Sequence, residues 1–225
     1  MNEKVREQFN TLSPDYDSRR RLLIPCFDDF YNTGIEKLSF AGKAPRILDV
    51  GAGTGIFSDV LLSRYPKAKL TLIDFAGNML DIAKSKFKDR ADARYILDDY
   101  FTHDYSLDTY DIVISALSIH HLDAGSKRMF YQKVYNLLED DGEFLNADIA
   151  CLGDPETDAL NDELWTAFVA GNLGEGEYFD RFIKSKEVDR PSPVSDQIKW
   201  LSEAGFQSAE CVFMHLNFAV LHARK

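Results

Sequence analysis

Hydrophobic spacing divides the chain into a helical start, a middle where strands and helices alternate, and an end where they do not. Over the first 45 residues Leu22, Leu23, Phe27, Phe30, Tyr31, Ile35 and Leu38 recur at helical spacing, with Pro25 marking a kink or a break. RILDV (46–50) is then a short apolar run stopped by glycines, as in a buried parallel strand. A helix over 55–64 follows, with Ile56, Phe57, Val60 and Leu61 on one side. The alternation continues through strand 69–74, helix 77–88, strand 93–97, strand 110–116 and a helix over roughly 125–139. Asp140-Asp141-Gly142 turns the chain into a fifth strand, EFLNADI. Such alternation predicts βαβ units, a mostly parallel sheet and right-handed crossovers.

The ending breaks this rhythm. Ser192 and Pro193 read as the N-cap and first residue of a last helix, and Gly205 suits its C-terminus. Two strands, AECVFMHL and NFAVLHARK, then follow with no helix between them, so they pair antiparallel. The expected fold is α/β: a seven-stranded, mostly parallel, doubly wound sheet with a C-terminal antiparallel hairpin, N-terminal helices and a helical cap insertion. One domain is expected over 1–225: a helical cover (1–45), a core (46–150), the cap insertion (151–190), and the last helix with the hairpin (191–225). The insertion carries Trp165, Phe168, Tyr178 and Phe182 with Gly171, Gly174 and Gly176, and reads equally as a cover over the sheet or as a lid over a pocket.

Composition narrows the partners. The formal net charge is −11, and 151–180 holds eight acids (Asp154, Glu156, Asp158, Asp162, Glu163, Glu175, Glu177, Asp180) without a Lys or Arg. Nucleic-acid binding rests on Lys and Arg at phosphates, so no nucleic-acid partner is expected. The acids form either a solubilising face or a rim favouring neutral or cationic substrates. No apolar run is long enough to span a membrane, and MNEKVREQFN has no secretory h-region. Cys26, Cys151 and Cys211 form no CxxC pair and read as reduced thiols, so a cytoplasmic location is expected. A homodimer is allowed by this reading.

The strongest chemical signal is Asp49-Val50-Gly51-Ala52-Gly53-Thr54-Gly55, between a strand and a helix. Glycines there let backbone approach a ligand without an intervening Cβ. Dinucleotide sites use G-x-G-x-x-G, and Ile56 occupies the place of the third glycine, which counts against NAD. Asp74, 19 residues beyond Gly55, ends the second strand, where a carboxylate can accept from both ribose hydroxyls of an adenosine. Asp98 or Asp99, beside Tyr100 at the end of the third strand, can accept from an adenine amine, with Asp98 favoured.

In order and spacing, ILDVGAGTG, LTLIDFAGNML, the acids after YIL, YDIVISALSIHHL and LLEDDGEFLNAD resemble the class I S-adenosylmethionine-dependent methyltransferases of the small-molecule type over roughly residues 45–150. The resemblance implies S-adenosylmethionine as cofactor and S-adenosylhomocysteine as product. It implies that Asp49, Gly51, Ala52, Gly53 and Gly55 meet the methionine end and that Asp74 holds the ribose. Phe75 or Met79 would pack on adenine, Asp98, Asp99 and Tyr100 would border it, and Ala116 and Leu117 would lie along the cofactor. Tyr16 and Arg21, on a helix folded over the cofactor, are implied near its carboxylate. SALSIHHL (115–122) carries neither the NPPY-like nor the Pro-Cys signature of nucleic-acid or glutamine methylation, leaving a small O- or N-acceptor.

His120 is the candidate general base, since its pKa lies near neutrality; a structural histidine is the alternative. No metal is expected, because adjacent histidines rarely converge on one ion and no further ligand pattern is evident. Competing readings are a nucleotide-dependent oxidoreductase, a cofactor-binding protein without transferase activity, and a protein resembling carboxy-S-adenosylmethionine synthases, which needs an Arg for the added carboxylate.

Overall fold

The computed structural model describes residues 16–105, 108–174 and 176–225. The first fifteen residues of the expected N-terminal cover, including the stretch read as lacking a leader, lie outside them, as does Glu175 of the acid run. Two helices open the described chain, α1 (Tyr16–Leu23) and α2 (Phe27–Lys37), separated at Pro25 and Cys26. Cys26 adopts φ 55°, which ends one helix and starts the next in a new direction.

Alternation follows as β1 (Arg46–Val50), α3 (Ile56–Leu62), β2 (Lys69–Asp74), α4 (Gly77–Lys86), β3 (Ala93–Leu97), β4 (Tyr110–Ala116), α5 (Ala124–Leu137) and β5 (Leu138–Ile149). Helices α6 (Pro155–Leu173) and α7 (Glu177–Ser185) form the insertion; α8 (Val194–Ala204), β6 (Ser208–His215) and β7 (Phe218–Arg224) close the chain. The strands make one seven-stranded sheet in the order β3-β2-β1-β4-β5-β7-β6. β1 to β5 pair parallel, while β7 lies antiparallel to both β5 and β6. The order reverses between β1 and β4, so their C-terminal ends diverge into a crevice, the place where open α/β sheets hold ligands.

Two local expectations shift. α5 ends at Leu137 instead of 139, and β5 begins at Leu138 rather than after the Asp-Asp-Gly turn. Leu138 pairs with Tyr110 and Glu143 with Ile112, so the residues between bulge out, with Asp141 at φ 63°. At α8, Pro193 rather than Ser192 is the capping position; the Ser192 hydroxyl instead accepts from buried Lys127 Nζ at 2.8 Å.

Apolar side chains fill both faces of the sheet. On one, Phe30 and Ile35 of α2, Phe57 and Leu61 of α3 and Leu80 of α4 pack with Ile47, Leu72 and Val220. On the other, Phe130, Tyr131 and Val134 of α5 and Leu201 of α8 cover Leu48, Val113 and Phe144. Of the insertion aromatics, Trp165 and Phe182 belong to the first core and Phe168 packs against it. Trp165 meets Phe182 and Phe218 edge-on, each at 5.1 Å, and its indole N–H donates to Leu23 O at 2.8 Å. Asn172 donates to Leu22 O at 3.2 Å. α6 thereby holds the C-terminal end of α1, whose N-terminal residues reach over the sheet edge. Tyr178 is exposed beneath the Arg19 guanidinium, 3.6 Å from its ring centroid.

Candidate cofactor site

A cleft of about 570 Å³, counted to its open mouth, lies over the ends of β1, β2 and β4. One wall is the glycine turn after β1, which α3 follows. Gly51 and Gly53 hold φ +64° and +53°, values an L side chain adopts only with strain. A Cβ on Gly51 would stand 2.0 Å from Ser118 Oγ, so this turn can sit against the β4 edge only with glycine. A Cβ on Gly53 would only touch Met79 Cε, at 3.6 Å. Gly55 differs: a Cβ there would strike Phe87, and its φ of +76° starts α3. It is a packing and capping residue away from the cleft wall, which corrects its expected cofactor contact.

Asp74 ties the two turns together. Its carboxylate accepts from Gly53 N and from Ala76 N, each at 2.8 Å. A carboxylate oxygen has lone pairs for a further donor, so this bracing leaves capacity for hydroxyls in the cleft. Burial pushes the Asp74 carboxyl up to about 6, against the backbone N–H groups that favour its charge. Asp49, buried at the end of β1, is pushed up to about 7 by burial, while the Ser58 hydroxyl bonded to it at 2.6 Å works in the opposite direction. Two buried acids on one wall make the site electronegative and receptive to a cationic ligand group.

α1 closes the opposite side. Asp17 accepts from Thr54 Oγ1 at 2.5 Å and from Lys86 Nζ at 2.7 Å, pinning α1 to the glycine turn. Tyr16 and Arg20, four residues apart and so on one helix face, both line the cleft, with the guanidinium 4.9 Å from the Tyr16 ring centroid. Arg21 is a correction. It lies one position round the helix, 56% exposed, bound through both terminal nitrogens to Asp28 at 2.8 Å. The basic run Arg19-Arg20-Arg21 showed a cation, but only the phase set by Tyr16 and Asp17 shows which one turns inward.

Of the other expected residues, Asp49, Gly51, Ala52, Gly53, Asp74, Phe75, Met79, Ala116 and Leu117 line the cleft together with Tyr16. Leu117 adopts φ 51°, a strained conformation at the ligand edge. Asp98, Asp99 and Tyr100 do not reach the wall. Asp98 is exposed and spends its oxygens on Asp99 N and His103 Nδ1, and Asp99 accepts from Phe101 N at 2.9 Å. Tyr100 is fully buried beneath the turn, bonded to Ser118 O at 3.3 Å. Tyr31, Thr54, Ile56, Phe57, Ser118 and His121 complete the lining unforeseen. None of the described acids of 151–180 lines the cleft.

His120 is the sharpest correction. Only 4% exposed, it lies behind the wall, with Nδ1 2.5 Å from Asp148 Oδ1 and Nε2 3.2 Å from Asp189 Oδ1. Burial alone would lower its pKa, but the two carboxylates raise it to about 9, which together with its place behind the wall argues against the expected general-base role. His121, which does line the cleft, is pushed down to about 3, chiefly by burial and then by charged His120. The pair was legible, but which member faces the ligand was not, because the 3₁₀ turn Ile119–His121 decides it.

Comparison with known proteins agrees with this geometry. The family model described as a methyltransferase domain matches residues 47–142. A malonyl-[acyl-carrier protein] O-methyltransferase of Ilyobacter polytropus is 32% identical over 102 residues, covering 45% of this chain and 37% of that protein. The chain thus spans little more than a third of the first curated relatives it matches, 37% and 35%. A carboxy-S-adenosyl-L-methionine synthase of Nautilia profundicola is 23% identical over 100% of this chain and 97% of its own. Among solved structures, an O-methyltransferase family protein of Burkholderia thailandensis shares the fold, with a TM-score of 0.67 and 17% identity over 100% of this chain and 60% of that one. Among the described residues, no helix is long and apolar enough to cross a membrane. Residues 47–142 thus match a methyltransferase domain, and the chain shares the seven-stranded α/β fold of the solved O-methyltransferase family protein.

Proposed function

We propose that this protein transfers the methyl group of S-adenosylmethionine to the oxygen or nitrogen of a small-molecule acceptor, with the described chain acting as one unit. The observation that carries the reading is the convergence of Gly51, Gly53, Asp74, Met79 and Arg20 on one cleft at the reversal of strand order. Asp74 takes the ribose hydroxyls while it braces the glycine turn, and Phe75 and Met79 pack on the adenine. Asp49 faces the ammonium of the methionine moiety and Arg20 its carboxylate, a pairing for which a guanidinium is suited.

Methyl transfer from a sulfonium is an in-line displacement that needs little covalent help. Holding acceptor and methyl in line supplies an effective molarity of about 10⁵–10⁸ M, or roughly 7–11 kcal/mol of barrier. Pinning of α1 by Asp17 and by Trp165 makes that cover a rigid wall and excludes water from the sulfonium. Calorimetric titration with S-adenosylhomocysteine tests the reading. Micromolar binding, abolished in Asp74→Ala and absent for NADH, supports it; no binding by folded wild-type protein ends it.

A second reading, modification of the cofactor itself, is favoured by the end-to-end likeness to a carboxy-S-adenosyl-L-methionine synthase and by Arg20, a guanidinium on the cleft wall. Mass spectrometry of the cofactor after turnover separates the two. Demethylation to S-adenosylhomocysteine supports transfer, and a cofactor heavier by a carboxyl group supports modification.

A further inference from the structure

His120 and His121 leave β4 side by side, and Asp189 reaches them from the end of the insertion, 68 positions further along the chain. Asp189 Oδ1 lies 3.2 Å from His120 Nε2 and 3.4 Å from His121 Nδ1, and one ligand-type atom from each residue falls within 4.8 Å of the others. Nitrogen and carboxylate ligands stand roughly 2.0–2.2 Å from an ion such as zinc, which puts neighbouring ligand atoms about 3.0–3.5 Å apart in octahedral or tetrahedral geometry. Both measured separations fall in that interval. We propose that His120, His121 and Asp189 bind a divalent first-row transition-metal ion at the wall of the cleft.

The surroundings have the form that such a site requires. A ligating histidine usually donates its other ring N–H to a carboxylate, which fixes its tautomer and aim. Asp148 takes that position behind His120. It accepts from Nδ1 at 2.5 Å, from the His120 backbone N–H at 2.9 Å and from Ile149 N at 2.9 Å, so it is itself held. The segment carrying Asp189 is fastened on both sides of it: Arg190 N donates to His120 O at 3.0 Å, and buried Lys127 donates to Arg190 O and to Ser192 Oγ. Two imidazoles and one carboxylate on a hard-wired frame form the ligand set seen at sites that keep open coordination positions. His121 is part of the cleft lining, which places the ion beside the cleft.

The ion's role rests on the methyl-transfer reading, whereas its binding does not. An acceptor hydroxyl bound to the ion loses its proton to solvent at a lower pH than a free one. The oxygen–methyl bond then forms as the methyl–sulfur bond breaks, and that electron pair returns to sulfur. The substrate class is therefore an acceptor whose reactive oxygen can ligate a metal.

The test uses wild-type protein dialysed against chelator. It is titrated with Zn²⁺ by calorimetry and with Co²⁺ by visible absorption, which reports the ligand field without any need for activity. One ion per chain is expected, with affinity reduced at least about tenfold in His121→Ala and in Asp189→Asn. Replacement of His215, exposed on β6, should leave binding unchanged. Failure of folded wild-type protein to bind either ion overturns the proposal, as does binding that persists undiminished in both variants. Because the wild-type titration alone can refute it, a variant that fails to fold does not shelter it. S-adenosylhomocysteine titration of the same sample reads the cofactor proposal separately, so each can fail without the other.

Discussion

Asp49 lies buried on the cleft wall, where a charge is costly to the fold and, on the proposed function, useful to the ligand; Asp49→Asn separates the two effects. Its side chain is 1% exposed and its carboxyl is pushed from 3.8 to about 7 by burial, with Asp74 adding to the rise. A carboxyl raised on folding binds more protons folded than unfolded, so its destabilising effect is absent well below the unfolded pKa. The effect grows through the interval and is complete above the folded one. A shift of about three units is roughly 4 kcal/mol, an upper figure at pH 8 that falls to about 1.5–2 kcal/mol at pH 5. Asn keeps an oxygen to accept from Ser58 Oγ and so retains most of the local bonding. Asp49→Asn should therefore stabilise the ligand-free protein by up to roughly 4 kcal/mol at pH 8, with the gain shrinking as pH falls toward 4. Urea unfolding of both proteins at several pH values between 4 and 8 measures it. The same substitution should weaken S-adenosylhomocysteine binding by about tenfold, through loss of one charge-assisted contact. A variant less stable than wild type at every pH, or a difference with no slope across this range, would refute the assignment of a strained, buried carboxylate.

Arg20→Ala should reduce affinity for S-adenosylhomocysteine by about tenfold or more, from loss of an ion pair to its carboxylate, while Arg21→Ala leaves it unchanged; calorimetry on the pair decides which guanidinium faces the cofactor. Trp165→Ala removes a core aromatic and the bond to Leu23 O, and a loss of roughly 3–5 kcal/mol is expected in denaturant unfolding. Trp165→Phe should keep most of that packing yet weaken cofactor binding, since α1 loses a tether; equal binding would show that α1 is held without it. At the opposite end of the sheet, burial raises the Glu143 carboxyl, but His222 at 2.8 Å and the Ser39 N–H and hydroxyl outweigh it and leave the pKa lowered. Stability from this group is full above the unfolded pKa and is lost as pH falls through the lowered folded one. Glu143→Gln should therefore cost about 1–3 kcal/mol at pH 7, with the difference vanishing in acid, as followed by thermal melts across pH.

The parts legible from sequence were those that local physics dictates. Strands β1 to β4 and their helices follow from apolar period and glycine stops, and the terminal hairpin follows from two strands with no room for a helix between them. The glycine turn and Asp74 were legible as neighbours at the strand ends because a tight turn there needs residues without Cβ, and a carboxylate ending the next strand can brace it. Tertiary structure decided the rest. Whether Arg20 or Arg21 turns inward depends on how Asp17 docks α1 on Thr54, a contact 37 residues apart. Tyr100 and Gly55, expected at the ligand, support the site from beneath, since side-chain direction there is set by what packs against it. The insertion aromatics left cover and lid equally open until Trp165 was seen against Phe218, 53 positions further along the chain. His120 and His121 could be named as a pair, but not their aim or their partner. Asp189 lies far along the chain with no spacing to mark it, because ligand spacing carries information only within one local element. Crossovers and helix docking bring such groups together in space without leaving any pattern in sequence.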